Sequence, residues 1–163
     1  MWRYAIVLSA VGLMMLPAKS QAQFKQGDWE LTLSGQGAND KDFETGSASA
    51  VGSLGYFFSD QLEVGLRQGI TWADGGSAWN GDTRLAADFH FDFARWQPFL
   101  GANIGYTYGD NVDDSWIAGP EGGVKYFMNS TTFVEAIVSY EFSLNNGFDS
   151  GAFFYGLGIG VRL

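Results

Sequence analysis

The chain of 163 residues is 46% hydrophobic and only 17% charged, which is one domain's worth of apolar material with too few charges to cover a soluble surface of that size. It has no cysteine, which excludes a disulfide framework, a cysteine nucleophile and a thiolate metal site. The formal charge of -9, with no cluster of Lys and Arg, excludes nucleic acid as a partner because nothing is present to neutralise phosphates.

The N-terminus reads "MWRYAIVLSAVGLMMLPAKSQAQF". Arg3 supplies a positive start, Tyr4 to Leu16 an apolar run of 13 residues, and Pro17 a break. Ser20 and Ala22 are the small residues expected before a cut at Gln23. The run is well short of the roughly 20 residues that cross a bilayer as a helix. The expectation is a cleaved signal peptide over 1–22, followed by a single domain over 23–163. Removing Arg3 and Lys19 leaves seven basic residues against 18 acidic ones, a mature charge of -11.

Beyond Gln23 no apolar stretch reaches helix-spanning length, so any membrane span must be built from strands. Eight segments with strand character follow, at roughly 26–37, 47–58, 62–72, 82–93, 98–109, 116–127, 132–143 and 151–163. Each matches a tilted transmembrane strand of about 9–11 residues with margins. The second, "GSASAVGSLGYFFSD", does not declare which parity is apolar. In the third, Leu62, Val64, Leu66, Ile70 and Trp72 share a face broken only by Gln68, opposite Glu63, Gly65, Arg67, Gly69 and Thr71. In the fourth, Leu85, Ala87, Phe89, Phe91 and Phe93 oppose Arg84, Asp88, His90 and Asp92. Pro120 removes a ladder donor from the sixth and suggests a bulge. In the seventh, Phe133 and Ile137 fall on the charged side with Glu135, Ser139 and Glu141. The eighth alternates from Phe153 to Leu163 against Ala152, Phe154, Gly156, Gly158, Gly160 and Arg162.

Connections after strands two, four and six are short, whereas those after one, three, five and seven are longer and rich in Gly, Asn and Asp. Short turns on one rim and longer loops on the other are the pattern of an outer-membrane barrel. The faces agree with it. Positions opposite the apolar face are mostly small or charged, and small residues make room inside a narrow barrel. The charged parity carries both signs: Arg67, Arg84, Lys125 and Arg162 with Glu30, Glu63, Asp88, Asp92, Glu121, Glu135 and Glu141, and His90 among them. Such a mixture makes sense as an internal network, because a buried charge is costly unless paired. Aromatic residues gather at the strand ends. Trp72, Tyr106, Tyr108, Trp116, Tyr140, Phe142, Phe153 and Tyr155 lie toward the long-loop rim, and Trp29, Phe91, Phe93, Trp96 and Tyr126 toward the short-turn rim. Two aromatic girdles around an aliphatic band put the apolar face against lipid. The expected fold is all-β: an eight-stranded antiparallel up-and-down transmembrane β-barrel.

At "LGYFFSDQLEVGLRQG" and "GPEGGVKYFMNSTTFVEAIVSYEF" a strand ends in an aromatic, turns through polar residues and returns as a second amphipathic strand. Here the mature chain resembles the small outer-membrane β-barrel family of OmpX-like, OmpW-like and OmpA-transmembrane barrels. Chains of that family usually end in an aromatic residue, and this one ends in Leu163. The resemblance implies residence in the outer membrane of a Gram-negative-type bacterium as a monomer, in contact with lipid and lipopolysaccharide, after handling by the outer-membrane assembly machinery. It implies no cofactor.

Three catalytic or ligand readings compete with structural ones. His90, the sole histidine, would serve as base in a lipid-modifying hydrolase, but that chemistry needs a nucleophilic Ser or Thr beside it and access to lipid. A satisfied place in the interior network is the preferred reading. The acidic residues in and bounding the long loops, Asp40, Asp42, Glu44, Asp74, Asp82, Asp110, Asp113, Asp114 and Asp149, could hold a divalent cation, but "DNVDDS" lacks the spacing of a calcium loop and solvated charge is the preferred reading. Glu135 with Glu141, or Asp88 with Asp92, has no cleft to seat a sugar for glycosidase chemistry. Two functions remain: a structural or surface-interaction barrel without turnover, and a porin-like permeability protein with a narrow or lateral path. Mature protein beginning at Gln23 should fractionate with outer membranes and migrate heat-modifiably on gels, whereas recovery as a soluble periplasmic protein would contradict the barrel.

Overall fold

The computed structural model describes residues 24–39, 46–73, 79–109, 114–145, 148 and 151–163. The expected signal peptide and most of the acidic loop residues lie outside them. Eight antiparallel strands form among the described residues: β1 (Trp29–Asn39), β2 (Gly46–Phe57), β3 (Leu62–Ala73), β4 (Trp79–His90), β5 (Trp96–Gly109), β6 (Ser115–Phe127), β7 (Thr132–Ser143) and β8 (Ala152–Arg162). Each pairs with the next, and β8 returns to β1 to close the barrel. The closing ladder runs from Glu30 opposite Arg162 to Asn39 opposite Phe153. Leu163 extends it by exchanging backbone hydrogen bonds with Trp29. Closure leaves no strand edge unpaired, the condition for a sheet to stand in hydrocarbon.

The faces segregate sharply. Leu31, Leu66 and Leu157 are 50%, 54% and 73% exposed, while Glu30, Glu121 and Lys125 are 3%, 5% and 2% exposed. A soluble protein would show the reverse, so the outer surface is built for lipid and the interior for charge. The second segment now declares itself. Val51 and Phe57 are buried inward while Ala48, Ala50, Gly52 and Leu54 are exposed. Small residues on the outward face had hidden its parity.

Local chemistry sets the short turns. Ser59 Oγ accepts from the Leu62 amide, and Asn129 Oδ1 accepts from the amides of Thr131 and Thr132. Such side-chain acceptors stand in for the backbone in tight turns. The same device corrects the expected bounds of β4, which starts at Trp79 and ends at His90 rather than running over 82–93. Asp92 Oδ1 accepts from the Ala94 amide at 3.1 Å, and Ala94 has φ +60°. Ala94 and Arg95 therefore form a two-residue turn, and beyond the strand's end the pairing continues only as the Phe91 N to Pro98 O bond and an isolated bridge between Phe93 and Trp96. The sixth strand is also corrected. Gly119 and Pro120 have no ladder partner on β7, yet Ala118 opposite Phe142 and Glu121 opposite Ser139 keep one register. The ladder has a gap there and no bulge.

Two glycines can be read by what a side chain would meet. A Cβ on Gly160 would collide with Phe133 and Thr32 inside the barrel, whereas one on Gly52 would meet nothing within 4 Å on the lipid face. Gly160→Val should therefore lower the urea midpoint by the equivalent of about 1–3 kcal/mol, the usual cost of overpacking. Gly52→Val should leave it unchanged or raise it. The folded fraction read by heat-modifiable migration checks both, and equal effects would contradict the inward placement of Gly160.

Candidate functional site

The lumen holds three groups of charges, each centred on one cation. Nearest the short-turn rim, Lys125 Nζ lies 2.6 Å from Glu30 Oε2, 3.0 Å from Glu63 Oε2 and 3.8 Å from Glu135 Oε2. The same ammonium sits 5.3 Å from the ring centres of Phe24 and Phe133 and 5.4 Å from that of Phe99. Carboxylates and aromatic faces both favour a cation held out of water. Thr32 donates to Glu30, and His90 Nε2 is 2.9 Å from Glu63 Oε2. Midway, Arg67 reaches Asp88 Oδ2 at 2.8 Å and Glu121 Oε1 at 2.7 Å, while Asn103 donates to the other oxygen of Glu121. Toward the long-loop rim, Arg84 spreads its guanidinium over Asp82 at 2.6 Å, Glu141 at 2.5 Å and Gln36 at 3.2 Å. Ser139 also donates to Glu141.

These contacts assemble Glu30, Glu63, Arg67, Arg84, Asp88, His90, Glu121, Lys125, Glu135 and Glu141 in one lumen. Two residues stand apart from it. Asp92 belongs to the β4–β5 turn, where its carboxylate fixes the backbone, because the strand ended two residues earlier. Arg162 stands at the short-turn rim, 3.6 Å from Asp28, with both side chains 24% exposed. Asp82, expected to bound the second long loop at the start of the strand, lies within β4 and joins Arg84.

Sequence reasoning missed the lumen's base. Phe24, Phe57, Phe127 and Phe133 are fully buried together, with Phe24 stacked on Phe57 at 4.1 Å and edge-on to Phe127 at 5.1 Å. His90 packs between Phe57 and Phe99. Phe24 precedes the first strand and is folded back into the barrel. Backbone bonds hold that segment in place: Gly27 N donates to Phe57 O, and Gln26 N to Asp60 Oδ1. A signal did exist. Phe57, Phe99, Phe127 and Phe133 all occupy inward positions at strand ends on the short-turn rim, where an inward aromatic has no lipid to meet.

Outside the barrel, rim aromatics pair in two sets. Trp29 with Tyr56, Tyr56 with Phe58, Phe89 with Phe91 and Trp96 with Tyr126 lie at the short-turn end. Trp79 with Tyr108, Tyr106 with Trp116, and Tyr140 with Phe148 and Phe153 lie at the other end, where Trp72 is opposite Trp79 in the ladder. Phe142 contacts Phe148, and Tyr155 is exposed on β8. Phe93 lies beyond the end of β4, in an isolated bridge with Trp96. Gln68, the polar exception on the lipid face, satisfies itself locally. It donates to Asp82 O and Tyr108 Oη, both at 2.8 Å, and accepts from Thr83 at 2.7 Å. An amide facing hydrocarbon requires such partners.

A closed antiparallel barrel with a lipid-facing exterior and a charged interior is a membrane-spanning β-barrel. The chain has the fold of the small eight-stranded outer-membrane barrels. It is similar to the N-terminal β-barrel domain of Pseudomonas aeruginosa OprF at 21% identity and TM-score 0.68, over 85% of this chain and 98% of that one. It is also similar to the outer membrane protein OprG of the same organism, at 16% identity and TM-score 0.64 over 87% and 98%. A third likeness is to Neisserial surface protein A, at 17% identity and TM-score 0.61 over 83% and 95%. No protein-family model and no curated protein matches the sequence.

Ion pairs of this kind contribute little net stability, because desolvation consumes most of the Coulombic gain, but losing one partner is expensive. Arg67→Leu strands two buried carboxylates and should cost about 3–5 kcal/mol. Arg95→Ala, in an exposed turn, should stay within roughly 0.5 kcal/mol of the parent. Urea unfolding in detergent micelles distinguishes them, and matching midpoints would contradict the pairing of Arg67.

Proposed function

We propose that the protein is a sealed resident of the outer membrane, a structural or surface-facing barrel with neither catalytic turnover nor a porin-sized channel. One observation carries the reading: the base of the lumen is filled by Phe24, Phe57, Phe127 and Phe133, all fully buried, directly beneath the Lys125 cage. Side chains fill an eight-stranded barrel readily, and here they do so with apolar rings at one end and paired charges above. The lipid-facing band and aromatic pairs at both rims support contact with lipid and lipopolysaccharide as the protein's permanent surroundings. Assembly by the outer-membrane machinery and a monomeric state belong to the same reading.

Catalysis is disfavoured by where the only histidine lies. His90 is buried among Phe24, Phe57 and Phe99 with Nε2 on Glu63, out of reach of acyl chains on the barrel's exterior. A general base must reach the proton it removes, and no lipid hydroxyl or ester can approach this one.

The carboxylate excess favours a narrow cation path as the second reading. Lys125, Arg67 and Arg84 face seven carboxylates in the three groups, so any water threading the lumen would carry cations. Refolded protein in a planar bilayer should give no stable conductance steps, and no acyl hydrolysis or transfer when mixed with lipid A. Reproducible cation-selective steps that change on Glu121→Gln or Asp88→Asn would overturn the sealed barrel in favour of the path.

A further inference from the structure

Above the Arg84 group the lumen widens into a cavity of about 440 Å³ that opens at the long-loop end. That volume falls in the range of small-molecule sites, about 300–1,000 Å³, and is far larger than a bare ion needs. Hydroxyls line its wall, from Ser49, Thr71, Thr107 and Ser143. Ser49 and Thr71 are hydrogen-bonded to each other through their hydroxyls at 2.6 Å. The floor is Arg84 with Asp82 and Glu141.

We propose that this vestibule binds a small organic cation, a primary alkylammonium. The floor sets the sign. One guanidinium faces two carboxylates: Nη1 donates to Glu141, Nη2 to Gln36, and Nε lies 2.6 Å from Asp82 Oδ1, so the floor carries one more negative than positive group. The next cation down, Arg67, is likewise engaged by two carboxylates. Among the described residues both side-chain contacts to Glu141 fall on Oε1, and Oε2 is the oxygen that receives the ligand's ammonium. The same chemistry argues against a metal. Among the described residues no group of three or more His, Asp or Glu is placed to hold one, and both floor carboxylates are tied to Arg84. Ile117 supplies an apolar stretch of wall for a short alkyl chain.

The segments joining the strands at this rim add a second, independent bias. Their sequences carry Asp40, Asp42, Glu44, Asp74, Asp110, Asp113, Asp114 and Asp149 against the single Lys41. Summed charge of one sign around a cleft raises the local concentration of the opposite ion and speeds its arrival, with a dependence on ionic strength.

The test uses the full mature protein in nanodiscs, followed by amide NMR, with 1-aminobutane as probe, 1-butanol as its neutral isostere and butanoate as the anionic one. The amine should give saturable shifts at Thr71, Thr107 and Ser143, weakening as salt is raised, and the alcohol and acid should bind at least tenfold more weakly. Glu141→Gln should weaken the amine about tenfold, since each factor of ten is about 1.4 kcal/mol and this removes one charge-assisted contact. Ile117→Trp fills the cavity without touching the floor and should abolish binding, which keeps the proposal testable if Glu141→Gln does not fold. Absence of saturable shifts at millimolar amine, equal binding of butanol or butanoate, or unchanged binding by folded Ile117→Trp protein would overturn it.

Discussion

The ammonium of Lys125, held by three carboxylates and faced by three phenylalanine rings, is the point on which the interior depends. An eight-stranded barrel is too narrow to hydrate a buried charge, so a cation placed there must find its counter-charges on other strands, neighbouring or across the lumen. Those counter-charges come from β1, β3 and β7, and their alignment requires the closed register of the whole sheet. A slip of one residue in any strand would send its charge into lipid and its leucines into the lumen. The network contributes less to net stability than to choosing a single register.

That constraint also accounts for the glycines and for the aromatic base. Inward positions that face long side chains must be small, as at Gly123, where a Cβ would meet the Phe99 ring, and at Gly160 beside Phe133. Phe24 completes the base from outside the ladder, covering the underside of the Lys125 cage with apolar surface. In the sealed barrel proposed above, this cover keeps water from the group of charges with the largest excess of carboxylates, where low polarity strengthens each remaining contact.

Much of the fold was legible because one face of each strand sees lipid along its entire length. The alternation from Leu62 to Trp72 coincides with β3, and the contrast of short and long connections gave the strand order. Phe91 and Phe93 extended the expected strand too far, because rim aromatics continue its parity past the last regular ladder pair, His90 opposite Phe99, into scattered hydrogen bonds. In β2 the outward residues are themselves small, so no apolar stripe existed to read. The candidate site was legible only as a set of inward residues. Which carboxylate meets which cation depends on the stagger between distant strands, as for Lys125 and Glu30 on β6 and β1, and spacing along the chain does not encode that. Phe24 lies outside any alternating pattern, and only its depth in the barrel reveals its part.

In the sealed barrel proposed above, the lumen is open at its long-loop end and closed to water below. Since the chain has no cysteine, single cysteines report directly on access. Ser49→Cys lies in the vestibule wall, and Ser139→Cys lies below it at a buried position beside Glu141. With a polar thiol reagent added to folded, detergent-solubilised protein, Ser49→Cys should label readily and Ser139→Cys only after unfolding in urea. Equal labelling of the two in the folded state would mean that water runs past the Arg84 group, and would contradict a sealed barrel.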